Sequence, residues 1–150
     1  VLYASARRTD RELRGAMDAT LASARDLLPM LAAGAVPRAD ARHARSRLRN
    51  AAVDMMLLYE EQTGNGGRAR TEADRLWPAV VAEQRLAFRI LAACWELEAT
   101  GEKALSPQEV DALVSALHGI DAEGPAAASN GFLWSEIATL RAALASARVS

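Results

Sequence analysis

The fold is decided by the run LAFRILAACWEL, residues 86–97, in which only Arg89 and Glu96 carry a charge. A helix that is apolar around most of its circumference is buried among other elements rather than lying on a surface. We therefore expect this segment to form the central helix of the protein, with the other helices packed around it.

The ends of the central helix are indicated by its polar residues, its proline and its glycine. Thr71 and Asp74 offer a start, and Gly101 closes the segment. Pro78 lies one to two turns inside this start, where its ring removes a backbone hydrogen bond. The pattern therefore predicts either a kink at Pro78 or a later beginning.

A preceding helix is predicted from the capping-box pair Thr9 and Glu12, and it is interrupted by Pro29 before Gly34 ends it. Its apolar residues recur every three or four positions, which places them on one face. These residues are Leu13, Met17, Leu21, Ala24, Leu28 and Leu31.

The next helix is expected from Pro37 to about Gln62, followed by a glycine-rich loop over residues 63–67. Its core stripe has the same three-four spacing. The stripe consists of Ala41, Ala44, Leu48, Ala51, Met55 and Leu58.

Two more helices follow the central one. Ser106, Pro107 and Glu109 combine a cap, a first-turn proline and a reciprocal carboxylate, which is the clearest helix start in the chain. Its buried face is predicted to contain Val110, Leu113, Val114 and Leu117. After a linker over residues 121–131, the last helix is predicted from Leu133, Ile137, Leu140 and Leu144.

Together these patterns predict an all-α protein, an antiparallel four- to five-helix bundle. No segment alternates with the period of two that a half-buried strand requires. The 150 residues match one domain, and 51% of them are apolar. The start, Val1 to Ala4 running into Arg7 and Arg8, is expected to be a cut inside a longer protein.

An arginine ridge lies beside the core stripe of the second helix. Its members Arg38, Arg42, Arg45 and Arg49 repeat every three or four residues. One interpretation is a solvated helix face whose guanidinium groups meet acids of neighbouring helices. The other is a site for a carboxylate ligand or for phosphates of lipid headgroups. Nucleic acid is not an expected partner, because the chain has a pI of about 6.2 and lacks an aromatic-rich stacking surface.

Four aromatic residues are candidates for lining a ligand pocket between helices: Trp77, Phe88, Trp95 and Trp134. The alternative is that they belong to the core. Catalysis, metals and cofactors have no support, since His43 and His118 do not lie in metal-ligand spacing, so we expect a protein that is not an enzyme. Cys94 is flanked by apolar residues and is expected to be a reduced core residue.

The arginine-rich run ARHARSRLRNAA, residues 41–52, resembles a known family. Followed by an acidic helix end, a loop and a helix that begins near Leu76 and carries Arg85, Leu86 and Ala87, it is similar to the C-terminal cytoplasmic region of fusaric acid resistance (FUSC) membrane proteins. These proteins are similar to the aromatic acid exporters.

The resemblance implies a helical domain at the cytoplasmic face of the bacterial inner membrane, attached to a transporter that exports small organic acids. It also implies a membrane exit near Arg7, Arg8 and Arg11, with the arginine ridge facing anionic lipid, the transmembrane region or an organic anion. Subunit assembly as a homo-oligomer is a second role within this reading. The alternative is a free-standing helical ligand-binding or regulatory module.

Overall fold

The computed structural model describes residues 2–32, 38–101, 104–122 and 131–149. Five α-helices follow one another in these ranges: α1 Leu2–Leu27, α2 Arg38–Gly64, α3 Gly67–Thr100, α4 Pro107–His118 and α5 Trp134–Val149. A short 3-10 helix, Leu28–Leu31, continues α1. The described ranges contain no strand, so the predicted all-α helical bundle is confirmed.

Side-chain contacts give the directions of the helices. Arg45 reaches Glu98 near the end of α3, whereas Tyr59 stacks on Trp77 near its beginning, so α2 and α3 run antiparallel. On the other side of α3, Arg89 pairs with Glu136 at the start of α5. Because α1, α2 and α5 all pack against α3, the prediction that this helix is central is confirmed.

The predicted helix ends are partly confirmed. The Ser106 hydroxyl accepts from the Glu109 N–H at 3.1 Å, and the Glu109 carboxylate accepts from the Ser106 N–H at 2.9 Å, which completes the capping box. Gly101 adopts a φ of 68° and donates its N–H to the Leu97 carbonyl, a conformation that glycine tolerates without strain. Pro29 lies in the separate 3-10 turn, as its position predicted. Gly34 and Pro37 lie outside the described residues.

Two predicted starts are wrong. α1 already runs through Thr9, because the preceding alanine- and arginine-rich residues favour helix and extend it past the capping pattern. α3 begins at Gly67 rather than near Thr71 and continues through Pro78. The packing of Leu76, Ala79 and Val80 on either side of the proline outweighs the one backbone hydrogen bond that proline removes.

The core is formed mainly by leucines and alanines that line the inner faces of the helices. All six predicted core residues of α1 and its 3-10 extension are buried. On α2 the buried line is Ala44, Leu48, Ala52 and Met55, while Ala41, Ala51 and Leu58 are half-buried. The stripe is displaced toward Ala52 because α2 packs against α1 and α3 together, so its burial is centred between two neighbours.

α4 closes one end of the bundle. The Leu105 N–H donates to the Leu31 carbonyl at 2.8 Å, which ties the α3–α4 connection to the 3-10 helix. Val110, Leu113 and Leu117 are buried as predicted, whereas Val114 is half-buried because it lies at the edge of this face, and α4 packs on the 3-10 helix, α1 and α5. Among the described residues, no helix is both long enough and apolar enough to cross a membrane.

Candidate functional site

An aromatic stripe runs along the exposed side of α3. Trp77, Phe88 and Trp95 are 38%, 49% and 62% exposed. Their spacings of 11 and 7 residues are close to three and two helical turns, so the three rings share one face. Large apolar side chains exposed along one face of a helix make that face a candidate for contact with a partner surface.

The four predicted aromatic residues have separate surroundings. Trp77 stacks on Tyr59 with ring centroids 4.4 Å apart. Phe88 lines an open groove between α3 and α5, and Trp95 lies beneath Arg45. Trp134 begins α5 and packs, half-buried, against the core. The alternative prediction that these aromatic residues belong to the core is wrong for the three on α3. Other residues of that helix form its buried face, and the three rings lie outside that face.

The arginine ridge is divided by its contacts. Arg45 has a side chain only 13% exposed, forms an ion pair with Glu98, and holds its guanidinium carbon 5.1 Å from the centroid of the Trp95 ring. Arg42 and Arg49 are exposed on the same flank of α2. The side chain of Arg38 lies outside the described residues.

The exposed arginines and the aromatic stripe belong to adjoining helices. Arg45 is the direct link, because it belongs to the ridge and covers Trp95 through a cation–π contact. Val53 and Leu57 add exposed apolar surface on α2. We call the aromatic stripe together with Arg42, Arg45 and Arg49 the docking face.

The groove between α3 and α5 has a volume of about 400 Å³. Its wall carries Arg85 and Arg89 beside Phe88, opposite Ser135 and Glu136. Arg89 is 3.3 Å from the Glu136 carboxylate, so this positive charge is already matched within the protein. The groove therefore extends the docking face toward α5. It contains Arg89, which is paired with Glu136, and the exposed Arg85.

A second concave feature, which sequence reasoning missed, surrounds Glu83. This residue is only 1% exposed, and neither carboxyl oxygen has a hydrogen-bonding partner in the described part of the protein. The available signal was its spacing, since Glu83 follows Leu76, Ala79 and Val80 in the buried register of α3 and precedes Leu86 and Ala87. A carboxyl group in that register has to be buried.

Glu83 faces a cleft of about 220 Å³ between α1 and α5, which we call the Glu83 cleft. Its floor is α3, and within the described ranges α1 and α5 do not pack substantially on each other, so the cleft stays open between them. The lining residues are Arg14, Met17, Asp18, Leu21, Leu76, Glu83, Asp121 and Leu144. Burial raises the pKa of the Glu83 carboxyl well above its ordinary value, and the charges of Asp18 and Asp121 raise it further.

Cys94 is buried, which confirms its prediction as a core residue. Burial raises the pKa of its thiol to about 11, with an opposing effect of the nearby Arg45 charge. The thiol is therefore protonated at neutral pH and is a poor nucleophile. In the described residues, no group of three or more His, Cys, Asp or Glu side chains is arranged to hold a metal ion.

Comparison with known proteins does not extend this picture: no family model, curated protein or solved structure matches the chain. The assignment of a function consequently rests on the docking face and the Glu83 cleft.

Proposed function

We propose that this chain is a helical docking module that attaches to an anionic membrane surface through its docking face. In this proposal the chain is the cytoplasmic domain of a FUSC-like transporter at the bacterial inner membrane. Its docking face holds the domain close to the transmembrane region. The observation that carries the proposal is the line of exposed aromatic rings beside exposed arginines.

The chemistry of the docking face supports a lipid surface as its occupant. Tryptophan and other aromatic side chains favour the headgroup level of a bilayer, where an apolar ring and a polar edge are both accommodated. Arginines next to them add attraction to phosphate, and they bind it with paired N–H donors. Arg42 and Arg49 supply this charge from α2, while Trp95 and Phe88 supply the rings from α3.

The contribution of the exposed arginines to the free energy of membrane binding can be estimated. A basic residue near an anionic leaflet contributes about 1 kcal/mol, so Arg42 and Arg49 together contribute about 2 kcal/mol. This corresponds to a change of about thirtyfold in the partition coefficient. Because the attraction falls off within a Debye length, it weakens as salt rises.

The test is sedimentation with liposomes that contain or lack anionic lipid, at low and moderate salt. We expect salt-sensitive pelleting that requires anionic lipid. The double variant Arg42→Gln with Arg49→Gln is expected to weaken it about thirtyfold. The matched control is Arg68→Gln, an exposed arginine in the first turn of α3, which is expected to pellet like the unchanged protein.

A second measurement separates lipid contact from self-association. The variant Phe88→Ser with Trp95→Ser is expected to lose both pelleting and the blue shift of tryptophan emission that insertion into a bilayer produces. Equal pelleting by the variants and the unchanged protein would refute the docking face as the lipid contact. Concentration-dependent dimerisation without lipid, abolished by the same aromatic variant, would instead assign the face to subunit assembly.

A further inference from the structure

The Glu83 carboxyl group is buried without a hydrogen bond to the described residues, and the packing of the bundle does not offset that cost. Buried polar side chains normally have hydrogen-bonding partners, and burial of a carboxyl group without one is unfavourable. Leucine or methionine at this position would continue the apolar register of α3 without that cost. A carboxyl group at the floor of a cleft, with neither oxygen hydrogen-bonded to any of the described residues, is available to a bound partner.

The charges around the cleft favour a cation as that partner. Asp18 on α1 and Asp121 after α4 add carboxylates near Glu83. Three arginines lie near them: Arg14 lines the cleft from α1, Arg148 on α5 lies 3.6 Å from the Asp121 carboxylate, and Arg141 on α5 donates to the Ala122 carbonyl. None of these arginines hydrogen-bonds to Glu83 in the described residues, so an ionised Glu83 carboxylate would be stabilised by a cation placed against it.

The rest of the lining is apolar. Met17 and Leu21 from α1, Leu76 from α3 and Leu144 from α5 form walls that hydrocarbon can cover. The cleft has a volume of about 220 Å³. This volume is below the roughly 300–1,000 Å³ of pockets that hold drug-sized ligands. These dimensions select a ligand of a few heavy atoms.

We propose that the Glu83 cleft binds a small organic cation, a primary ammonium group on a short apolar stem. The ammonium group donates hydrogen bonds to the free oxygens of Glu83, and the stem lies against Met17, Leu21 and Leu144. This site lies on the α1 side of α3, away from the docking face, and does not depend on membrane attachment.

Binding is coupled to a proton. The ammonium ion pairs with the ionised carboxylate, so when Glu83 starts protonated, its proton leaves to solvent as the ligand binds. An alkylammonium ion keeps its charge throughout the neutral range, since its pKa resembles that of lysine, about 10.4. Affinity therefore rises with pH over the range in which Glu83 would otherwise hold its proton. The other charged groups of the described residues near this equilibrium are Arg14, Arg141, Arg148, Asp18 and Asp121.

The experiment is isothermal titration calorimetry of the full chain with n-butylammonium chloride as the probe. The matched ligands are n-butanol, which keeps the stem and lacks the charge, butyrate, which reverses the charge, and tetramethylammonium, which has no N–H donor. We expect binding of n-butylammonium alone, with affinity that increases with pH. Titration in phosphate and in PIPES, which differ in ionisation enthalpy, is expected to reveal the proton released at the lower pH.

Three variants make the assignment specific. Glu83→Gln keeps the shape of the side chain and is expected to weaken binding by about tenfold or more, because a hydrogen bond to a charged group is lost. It is also expected to abolish the proton release. Asp18→Asn is expected to produce a smaller loss of affinity. Glu61→Gln, on the exposed surface of α2, is expected to leave the affinity unchanged. Equal binding of n-butanol, unchanged binding by Glu83→Gln, or no binding of n-butylammonium at any pH would overturn the proposal.

Discussion

The burial of Glu83 predicts that the protein loses stability as pH rises, and that Glu83→Gln removes this loss. Glutamine has nearly the same shape as glutamate but does not titrate, so the substitution changes the proton equilibrium with little change in volume. The amide has its own cost of burial in the apolar register of α3. That cost does not vary with pH, so the pH slope, not the absolute stability, is the test.

The magnitude follows from proton linkage. In the unfolded chain, Glu83 loses its proton around its ordinary pKa of 4.5, whereas burial raises the pKa in the folded protein well above that value. Between the two pKa values the folded state holds one more proton than the unfolded state. The free energy of unfolding therefore falls by about 1.4 kcal/mol for each pH unit in this interval. Stability is greatest below the ordinary pKa and is lost as pH rises toward the raised one.

The assay is urea unfolding followed by far-ultraviolet circular dichroism at several pH values from about pH 5 upward. The difference in unfolding free energy between Glu83→Gln and the unchanged protein is expected to rise by about 1.4 kcal/mol per pH unit at first. This difference becomes constant once Glu83 ionises in the folded state of the unchanged protein. Glu61→Gln, exposed on α2, is the control and is expected to follow the unchanged protein. Parallel pH curves for Glu83→Gln and the unchanged protein would refute the desolvation of this carboxyl group.

Further measurements test the packing and the helix ends. Leu86→Ala is expected to cost about 2–5 kcal/mol of unfolding free energy because it opens a cavity, whereas Leu57→Ala on the exposed side of α2 is expected to change it by less than about 0.5 kcal/mol; denaturant midpoints distinguish the two. Ser106→Ala removes one half of the capping box and is expected to cost about 1 kcal/mol, which lowers the thermal midpoint. The Cys94 thiol is expected to resist an aromatic disulfide reagent at neutral pH in the folded protein and to react fully after addition of denaturant, and equal rates in both states would contradict its burial.

Local chemistry was enough to predict most of the helices. The capping box at Ser106, the left-handed glycine at Gly101 and the proline turn at Pro29 each follow from a few neighbouring residues. The starts predicted at Thr9 and Thr71 were wrong, because each helix begins before the local signal, and α3 also continues through Pro78. In both cases neighbouring residues that favour helix or bury apolar surface outweighed a single backbone contact.

The candidate sites were less accessible to sequence reasoning. The sequence placed the arginine ridge on one flank of α2. It did not show that Arg45 contacts Glu98 and Trp95 on α3, whereas Arg42 and Arg49 stay exposed. Those contacts join residues far apart in the chain. The pattern also predicted that the aromatic residues of α3 lie in the core or line a pocket between helices, whereas Trp77 and Trp95 are exposed.

The sequence by itself determined that this protein is a bundle of amphipathic helices around the apolar segment 86–97, because periodicity and capping act within a few residues. Tertiary structure decided which sides of that central helix are covered. α1, α2 and α5 cover only part of α3, which leaves the aromatic stripe exposed on one side and a cleft above Glu83 on another. Such features depend on the packing of separate helices, and packing is set by the shape of the whole bundle and not by any one segment.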